Sequence, residues 1–301
     1  MHKSPTLTQG VWTALVTPMH QDGSLDLGVF KNLVAWQIEQ GVHGLVVCGT
    51  TGEAATLNPA ERLRLVEACL EQANGRVPVM AGAGSNDTRQ AVQLHEQMGR
   101  LGVCATLQAT PWYNKPTQEG LYHHFRSLAE SSDIPFVAYN VPARTGVDLH
   151  PETVLRLARD CPNMLGLKEA HTDAKRCQML VHELARTRPD MVVLSGEDAF
   201  FLPLLALGGH GIISVMSNVA PSRTVALWQA VQRNSQQEAR ELAYRLTRLA
   251  DVLFWRTNPI VVKTALHLMG RIQLGFRLPL CPLSGQETEH VRSCLEQEEL
   301  A

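Results

Sequence analysis

Eight short apolar segments alternate with longer segments of helical pattern along this chain, and this alternation restricts the possible folds more than any other feature. Segments such as GLVVCG and VPVMAGAG are apolar at nearly every position, which is typical of strands buried on both faces of a sheet. Eight strand–helix units in series favour a (β/α)8 TIM barrel. A doubly wound open sheet is the alternative, but it usually needs fewer units, and no GxGxxG follows the first strand. The strands are predicted at 11–18, 44–49, 77–84, 104–111, 134–142, 164–170, 191–198 and 211–217.

Beyond the eighth strand the chain has helical patterns only, including VALWQAV, EARELAYRLTRLADVLFW and NPIVVKTALHLMG. This is more helix than the closure of one barrel needs. We therefore expect an α/β protein in two parts, a catalytic barrel over residues 1–220 and a small C-terminal helical extension over 221–301 that packs on the barrel. One helix start is also marked, because Asn58 is a suitable N-cap and Pro59 suits the first helical position.

Composition excludes several classes of function. The 301 residues carry a formal net charge of -2 without a basic stripe, which argues against nucleic acid or an acidic membrane as a partner. The seven cysteines are scattered without a CxxC, as is typical of reduced thiols in a cytosolic protein. The segment MHKSPTLTQGVW lacks the apolar region of a signal peptide, and no apolar run reaches the length of a membrane span. We expect a cytoplasmic protein that needs no metal or organic cofactor. The twelve histidines form no HExxH, so the sequence contains no such metal motif.

Lys168 stands at the end of the apolar strand MLGLKEA, where a charged side chain needs an explanation. Active sites of barrels lie at the carboxyl ends of the strands. Side-chain alternation predicts that Met164, Gly166 and Ala170 point into the barrel together with Lys168, and that Tyr139 at the end of the preceding strand lies beside it. A lysine in a dry pocket has a lowered pKa and attacks a carbonyl as a neutral amine, and a phenol nearby transfers the protons.

Other strand ends supply groups that suit a small anion. Thr50 and Thr51 lie in a GTTG turn whose hydroxyls and backbone N–H groups suit a carboxylate, and Arg144 follows the fifth strand. Together with Lys168 these residues predict a Schiff-base enzyme acting on a small α-keto acid. Each feature also has a simpler interpretation: a lysine whose amine extends to solvent, a threonine N-cap, a solvated arginine in a turn, and loop packing for the aromatic pair of PWYNKP.

The motifs taken together resemble the dihydrodipicolinate synthase and N-acetylneuraminate lyase family over nearly the whole chain. They are GTTGEAATL, PWYNKP, YNVPARTG, GLKEA, LSGED, GGHGIISV and NPIVVK, in the order and spacing of that family. The resemblance implies that Lys168 forms a Schiff base with pyruvate and that Tyr139 is the general acid and base above it. It also implies that Thr50 links Tyr139 in a proton relay to Tyr113, which reaches in from a neighbouring subunit.

The resemblance further implies how substrates bind. Thr51 would hold the pyruvate carboxylate, Arg144 would bind the carboxylate of an aldehyde substrate, and the backbone carbonyls of Gly196 and Ile213 would line the site. Family members are usually homotetramers built as a dimer of dimers, so we expect small-molecule substrates and that assembly.

The Thr50–Thr51 pair and Arg144 favour the branch that condenses pyruvate with L-aspartate 4-semialdehyde to 4-hydroxy-tetrahydrodipicolinate, in lysine and diaminopimelate biosynthesis. Enzymes that cleave or dehydrate 2-keto-3-deoxy sugar acids, or that resemble N-acetylneuraminate lyase, are the alternative within the family. The non-enzymatic alternative is a barrel that binds a keto acid without catalysing a reaction.

One departure from the family concerns regulation. Lysine-inhibited members use two histidines, a glutamate and a tyrosine in a pocket at the subunit interface. This chain has Pro59, Arg62, Gln90 and Trp112 at those positions. A bound lysine would lose the charge partner of its ammonium group and would meet Arg62. We therefore expect weak or absent inhibition by L-lysine.

Overall fold

The computed structural model describes residue 7 and residues 9–300, and in it eight parallel strands close into a barrel in chain order. The first strand pairs with both the second and the eighth, so the predicted (β/α)8 barrel is confirmed and the open sheet is excluded. Most of the segment MHKSPTLTQGVW, which was considered as a possible signal peptide, lies outside the described residues. The strands are β1 Gly10–Ala14, β2 Gly44–Val47, β3 Val79–Gly82, β4 Ala105–Ala109, β5 Phe136–Asn140, β6 Met164–Glu169, β7 Val192–Ser195 and β8 Gly211–Ser214.

Helices surround the barrel and continue after it, as the sequence predicts. Those up to β8 are α1 Leu27–Glu39, α2 Pro59–Ala73, α3 Thr88–Arg100, α4 Gln118–Ser131, α5 Pro142–Thr145, α6 Pro151–Asp160, α7 Ala174–Thr187 and α8 Phe201–Ala206. Those after it are α9 Pro221–Gln232, α10 Gln236–Leu253, α11 Ile260–Leu268 and α12 Gly285–Gln297. Short 3-10 helices lie at Ala54–Thr56, Asp198–Phe200 and Met216–Asn218. The C-terminal helices are confirmed, whereas the division of the chain at residue 220 stays a prediction.

The start of α2 follows from three residues. The Asn58 side chain accepts from the Glu61 backbone N–H at 3.0 Å, and the Glu61 carboxylate accepts from the Asn58 N–H at 2.9 Å. Pro59 occupies the first helical position, where a missing N–H costs nothing. This capping box fixes where α2 begins and therefore how the segment after β2 is held.

Large side chains fill the interior of the barrel, so that it is a packed core and not a channel. Trp12, Met80 and Leu194 are among them. Trp12 occupies the space beside Gly44 on the neighbouring strand. A Cβ atom at Gly44 would lie 2.3 Å from the Trp12 ring, so only glycine fits there. This packed floor leaves the carboxyl ends of the strands as the place for a site.

The β5–β6 ladder contains a register shift that the sequence did not reveal. Phe136 pairs with Met164 but Val137 pairs with Gly166, so one residue of β6 is extra. Met164 consequently packs with Phe136 in the layer between the sheet and the helices, and the prediction that it points into the barrel is wrong. After the bulge the alternation is regular: a Cβ on Gly166 would meet side chains of the barrel interior, and Ala170 packs against the same interior cluster.

Candidate active site

Lys168 and Tyr139 face each other across β5 and β6 near the carboxyl end of the barrel. They are direct partners in the parallel ladder, and the Lys168 Nζ lies 4.2 Å from the centroid of the Tyr139 ring. Both side chains are buried, with only 6% of each residue exposed. The prediction that Tyr139 lies beside Lys168 is therefore confirmed.

Burial changes the acidity of both groups. It lowers the pKa of Lys168 to about 8; the cation Arg144 acts in the same direction, while Asp198 and Glu197 oppose the shift. Burial raises the pKa of Tyr139 to about 12, and Arg144 and a hydrogen bond with the Thr50 side chain oppose this rise. Near pH 8 about half of the Lys168 amines are therefore uncharged, while the phenol remains protonated.

Asp198, just after the end of β7, has a role that the sequence analysis did not predict. Its Oδ2 accepts from the backbone N–H groups of Val215 and Met216 at 2.9 and 3.1 Å, which ties the end of β7 to the end of β8. Burial raises the pKa of this carboxyl group, and a hydrogen bond with the Ser214 side chain opposes the rise. The cap of the 3-10 helix is Glu197, whose carboxylate accepts from the Ala199 N–H at 3.5 Å. The charge of the Asp198 carboxylate acts on Lys168 and opposes the fall in the pKa of that amine.

The GTTG turn after β2 brings its two threonines to different partners. Thr50 forms the hydrogen bond with Tyr139, and Thr51 is buried and accepts from the Asn258 Nδ2 at 2.9 Å. The turn is closed by Gly52 N–H donating to the Gly49 carbonyl at 3.1 Å. Thr50 is thus joined to the reactive pair, and Thr51 is joined to the C-terminal part of the chain.

Arg144 lies in α5, directly after β5, and is exposed to solvent. Its Nη2 donates to the Asn258 backbone carbonyl at 3.4 Å. The position of this guanidinium at the mouth of the barrel suits the carboxylate of an incoming substrate.

A cavity of about 370 Å³ opens at this end of the barrel. The residues that line it include Thr50, Tyr139, Arg144, Arg62 and Trp112. Five of the predicted site residues do not line it, namely Lys168, Thr51, Tyr113, Gly196 and Ile213. The cavity therefore reaches the Tyr139 side of the reactive pair.

Two of those five residues lie at the carboxyl ends of strands. Ile213 lies in β8, fully buried in the barrel interior. Gly196 follows β7, and its N–H donates to the Glu169 carbonyl at 2.7 Å. Each lies two residues beyond the position of its strand that is in register with Lys168, and neither lines the cavity.

Tyr113 is the predicted residue that the single chain does not bring to Tyr139. It is 89% exposed, has a φ of +72°, and does not line the cavity. Its proposed entry from a neighbouring subunit stays a prediction.

An ion pair at the base of the site also escaped sequence reasoning. Lys263 of α11 and Glu53 of the turn after β2 form a fully buried ion pair, with Nζ 2.5 Å from Oε1. The signal was available, because Lys263 interrupts the apolar run PIVVKTAL much as Lys168 interrupts its strand. Nothing in the spacing connected it with Glu53, however, since 210 residues separate the two.

No group of three or more His, Cys, Asp or Glu side chains in the described part of the chain is arranged to hold a metal ion. None of the helices described has the length and apolarity needed to cross a membrane.

Comparison with known proteins identifies the family. Residues 7–298 match the model of the dihydrodipicolinate synthetase family. The chain belongs to this family. A 4-hydroxy-tetrahydrodipicolinate synthase of Maridesulfovibrio salexigens is 48% identical over 275 residues, which cover 91% of this chain and 93% of that protein. The chain is accordingly an enzyme of the lyase class.

Solved structures of the family agree with the fold. The dihydrodipicolinate synthase of Thermotoga maritima superimposes with a TM-score of 0.95 at 44% identity, covering 98% of this chain and 99% of that one. A dihydrodipicolinate synthase variant described as monomeric matches with the same TM-score and identity over 98% of both chains. The barrel of this family therefore exists in at least one relative without assembly into oligomers.

Proposed function

We propose that the chain condenses pyruvate with L-aspartate 4-semialdehyde to 4-hydroxy-tetrahydrodipicolinate, in lysine and diaminopimelate biosynthesis, through a Schiff base on Lys168. The observation that carries this proposal is the buried Lys168 amine, with a pKa lowered to about 8, directly across the β5–β6 ladder from Tyr139. An uncharged amine next to a protonated phenol is the pair that imine formation needs.

The reaction begins at the Lys168 amine. The neutral Nζ attacks the C2 carbonyl of pyruvate, and the Tyr139 phenol protonates the departing hydroxyl so that water leaves and an imine forms. Loss of a C3 proton gives an enamine, whose C3 attacks the aldehyde carbon of the second substrate while the aldehyde oxygen gains a proton. The amino group of that substrate then attacks the imine carbon, which closes the ring and releases the Lys168 amine. The Thr50 hydroxyl, hydrogen-bonded to Tyr139, supports transfer of these protons.

Substrate binding follows from charge. We assign the pyruvate carboxylate to Thr51 and the carboxylate of the aldehyde substrate to Arg144, which lines the open cavity. Backbone carbonyls of Gly196 and Ile213 complete the site near Lys168. The chemistry is carried by the lysine itself and calls on no metal or organic cofactor.

Borohydride reduction with pyruvate tests the Schiff base. Reduction of the imine to a secondary amine adds the mass of one reduced pyruvate to the peptide containing Lys168, and we expect this adduct in the unmodified protein and none without pyruvate. A coupled assay with both substrates, the next reductase of the pathway and NADPH tests the second substrate. Trapping of pyruvate without NADPH consumption would indicate the alternative function, cleavage or dehydration of 2-keto-3-deoxy sugar acids. Absence of trapping would refute the Schiff base.

For assembly and location we propose a homotetramer, built as a dimer of dimers, in the cytoplasm. The exposed Tyr113 beside the cavity residue Trp112 supports pairing of chains at this loop. All seven cysteines are free, which supports a reducing compartment.

We also propose that L-lysine does not inhibit this enzyme appreciably. Arg62 lines the cavity next to Trp112, and its Nη2 donates to the Ala54 carbonyl at 2.6 Å. Gln90, which accepts from the Ser85 hydroxyl at 3.2 Å, carries no charge to pair with an ammonium group. In the coupled assay we expect activity to stay unchanged as L-lysine is titrated through the sub-millimolar range. Inhibition in that range would contradict the proposal.

A further inference from the structure

The residues that directly follow Tyr139 and Lys168 form a link between the same two strands. Asn140 and Glu169 are the next pair in the β5–β6 ladder, and by alternation their side chains point away from the barrel interior. The Asn140 Nδ2 donates to the Glu169 Oε1 at 2.9 Å. A cross-strand hydrogen bond therefore lies one residue beyond the reactive pair, on the opposite face of the sheet.

Arg176 of α7 connects this link to the surrounding layer. Its Nε donates to the Glu169 Oε2 at 3.2 Å, its Nη1 donates to the Asp148 Oδ2 at 2.9 Å, and its Nη2 donates to the Leu149 carbonyl at 2.5 Å. The same two residues also bind the Asn140 side chain. The Asn140 Nδ2 donates to the Asp148 Oδ1 at 2.8 Å, and the Leu149 backbone N–H donates to the Asn140 Oδ1 at 2.9 Å. Both oxygens of Glu169 and both polar atoms of Asn140 thus have partners.

Stability alone does not explain this arrangement. A buried ionic network contributes little over well-packed apolar residues of the same volume, because its charges lose their hydration. What the network does fix is the alignment of β5 with β6 beyond the bulge, where the ladder has already slipped once. Reacting groups displaced by about 1 Å lose up to roughly a hundredfold in rate.

We propose that Asn140, Glu169 and Arg176 are positioning residues that hold Tyr139 across from Lys168 during imine formation. The inference rests on the proposed function of that pair. None of the three residues lines the cavity, so they act through strand alignment and not by contact with substrate.

The test measures the initial rate of pyruvate trapping by borohydride at saturating pyruvate, together with the half-saturating pyruvate concentration. Asn140→Leu removes the cross-strand bonds at similar volume, and we expect the trapping rate to fall by about tenfold or more while half-saturation changes by less than about twofold. Glu169→Gln keeps the oxygen that accepts from Asn140, so it should retain most of the rate that Glu169→Ala loses.

Asn163→Leu is the matched control, because Asn163 binds the carbonyls of Ser132 and Ile134 at the opposite end of the same two strands, at 2.9 and 3.3 Å. It should destabilise the fold without changing trapping by folded protein. All rates are compared at a temperature where circular dichroism shows each variant folded. If Asn140→Leu does not fold, the comparison of Glu169→Gln with Glu169→Ala decides.

The outcomes separate the two claims. If the unmodified protein traps pyruvate and the rates are unchanged in Asn140→Leu and Glu169→Ala, the positioning role alone is overturned. The same holds if Asn163→Leu lowers the rate equally. No trapping by the unmodified protein overturns the proposed function and this inference with it.

Discussion

Burial of the Lys168 amine affects stability as well as reactivity. Its pKa falls from 10.5 to about 8 on folding, so between these values the unfolded chain binds more protons than the folded chain. Stability therefore rises with pH across this window and the destabilisation is complete below pH 8. A shift of this size corresponds to roughly 3 kcal/mol. The fold thus accommodates the buried Lys168 at a cost in stability.

Replacement of Lys168 by Met should consequently stabilise the protein at pH 7 while abolishing pyruvate trapping. We expect a gain of about 2–3 kcal/mol in the free energy of unfolding, which shrinks as the pH approaches 10.5. Urea unfolding at pH 7 and near pH 10 measures both values. Lys175→Met is the control, because Lys175 is exposed on α7 and its removal should change little. A Lys168→Met protein less stable than the unmodified one would contradict the reasoning.

At the scale of elements, the sequence predicts what depends on local pattern. All eight strands were recognisable as apolar runs, and the proximity of Lys168 and Tyr139 followed because consecutive strands of a barrel are neighbours. The observed strands are shorter than predicted; β7, for example, ends at Ser195, whereas the predicted segment continues to residue 198. Met164 was misplaced because a bulge depends on pairing with β5, which local alternation does not contain.

The connection between the C-terminal helices and the site also depends on contacts between distant segments. Lys263 of α11 reaches Glu53, and Asn258, just before α11, binds Thr51 through its side chain and Arg144 through its carbonyl. Burial lowers the pKa of Lys263, although the Glu53 carboxylate opposes this. We propose that residues 221–301 form the predicted extension and that it holds the turn after β2 in place.

Loss of the Lys263 charge should destabilise the protein strongly, because Lys263→Met leaves Glu53 charged and unpaired in the interior. We expect a loss of about 3–5 kcal/mol in the free energy of unfolding, much of which the double variant Lys263→Met/Glu53→Gln should recover. Urea denaturation measures these values. Arg256→Met breaks the partly exposed pair with Glu287 and should cost less than about 1 kcal/mol. Equal losses in Lys263→Met and Arg256→Met would argue against the role of the buried pair.

At the scale of the whole molecule, the loop after β4 remains uncovered in the single chain. Tyr113 is 89% exposed and Trp112 38% exposed, and Trp112 lines the cavity that leads to Thr50. A second chain packed on this loop would cover both aromatic residues and could deliver its own Tyr113 toward Thr50. The proposed proton relay from Tyr139 through Thr50 then needs two chains for one complete site.

Mixing two inactive variants tests this sharing directly. Lys168→Met and Tyr113→Phe should each have low activity, but a mixed dimer contains one site with an intact Lys168 and a Tyr113 from the other chain. Random exchange of subunits at equal amounts should restore about a quarter of the activity of the unmodified enzyme in the coupled assay, because half of the dimers are mixed and each has one complete site. A mixture of Lys168→Met with Tyr139→Phe is the control, since both residues belong to the same chain's site and no combination completes it. Recovery in neither mixture, with subunit exchange confirmed by native mass spectrometry, would mean that Tyr113 does not act across the interface.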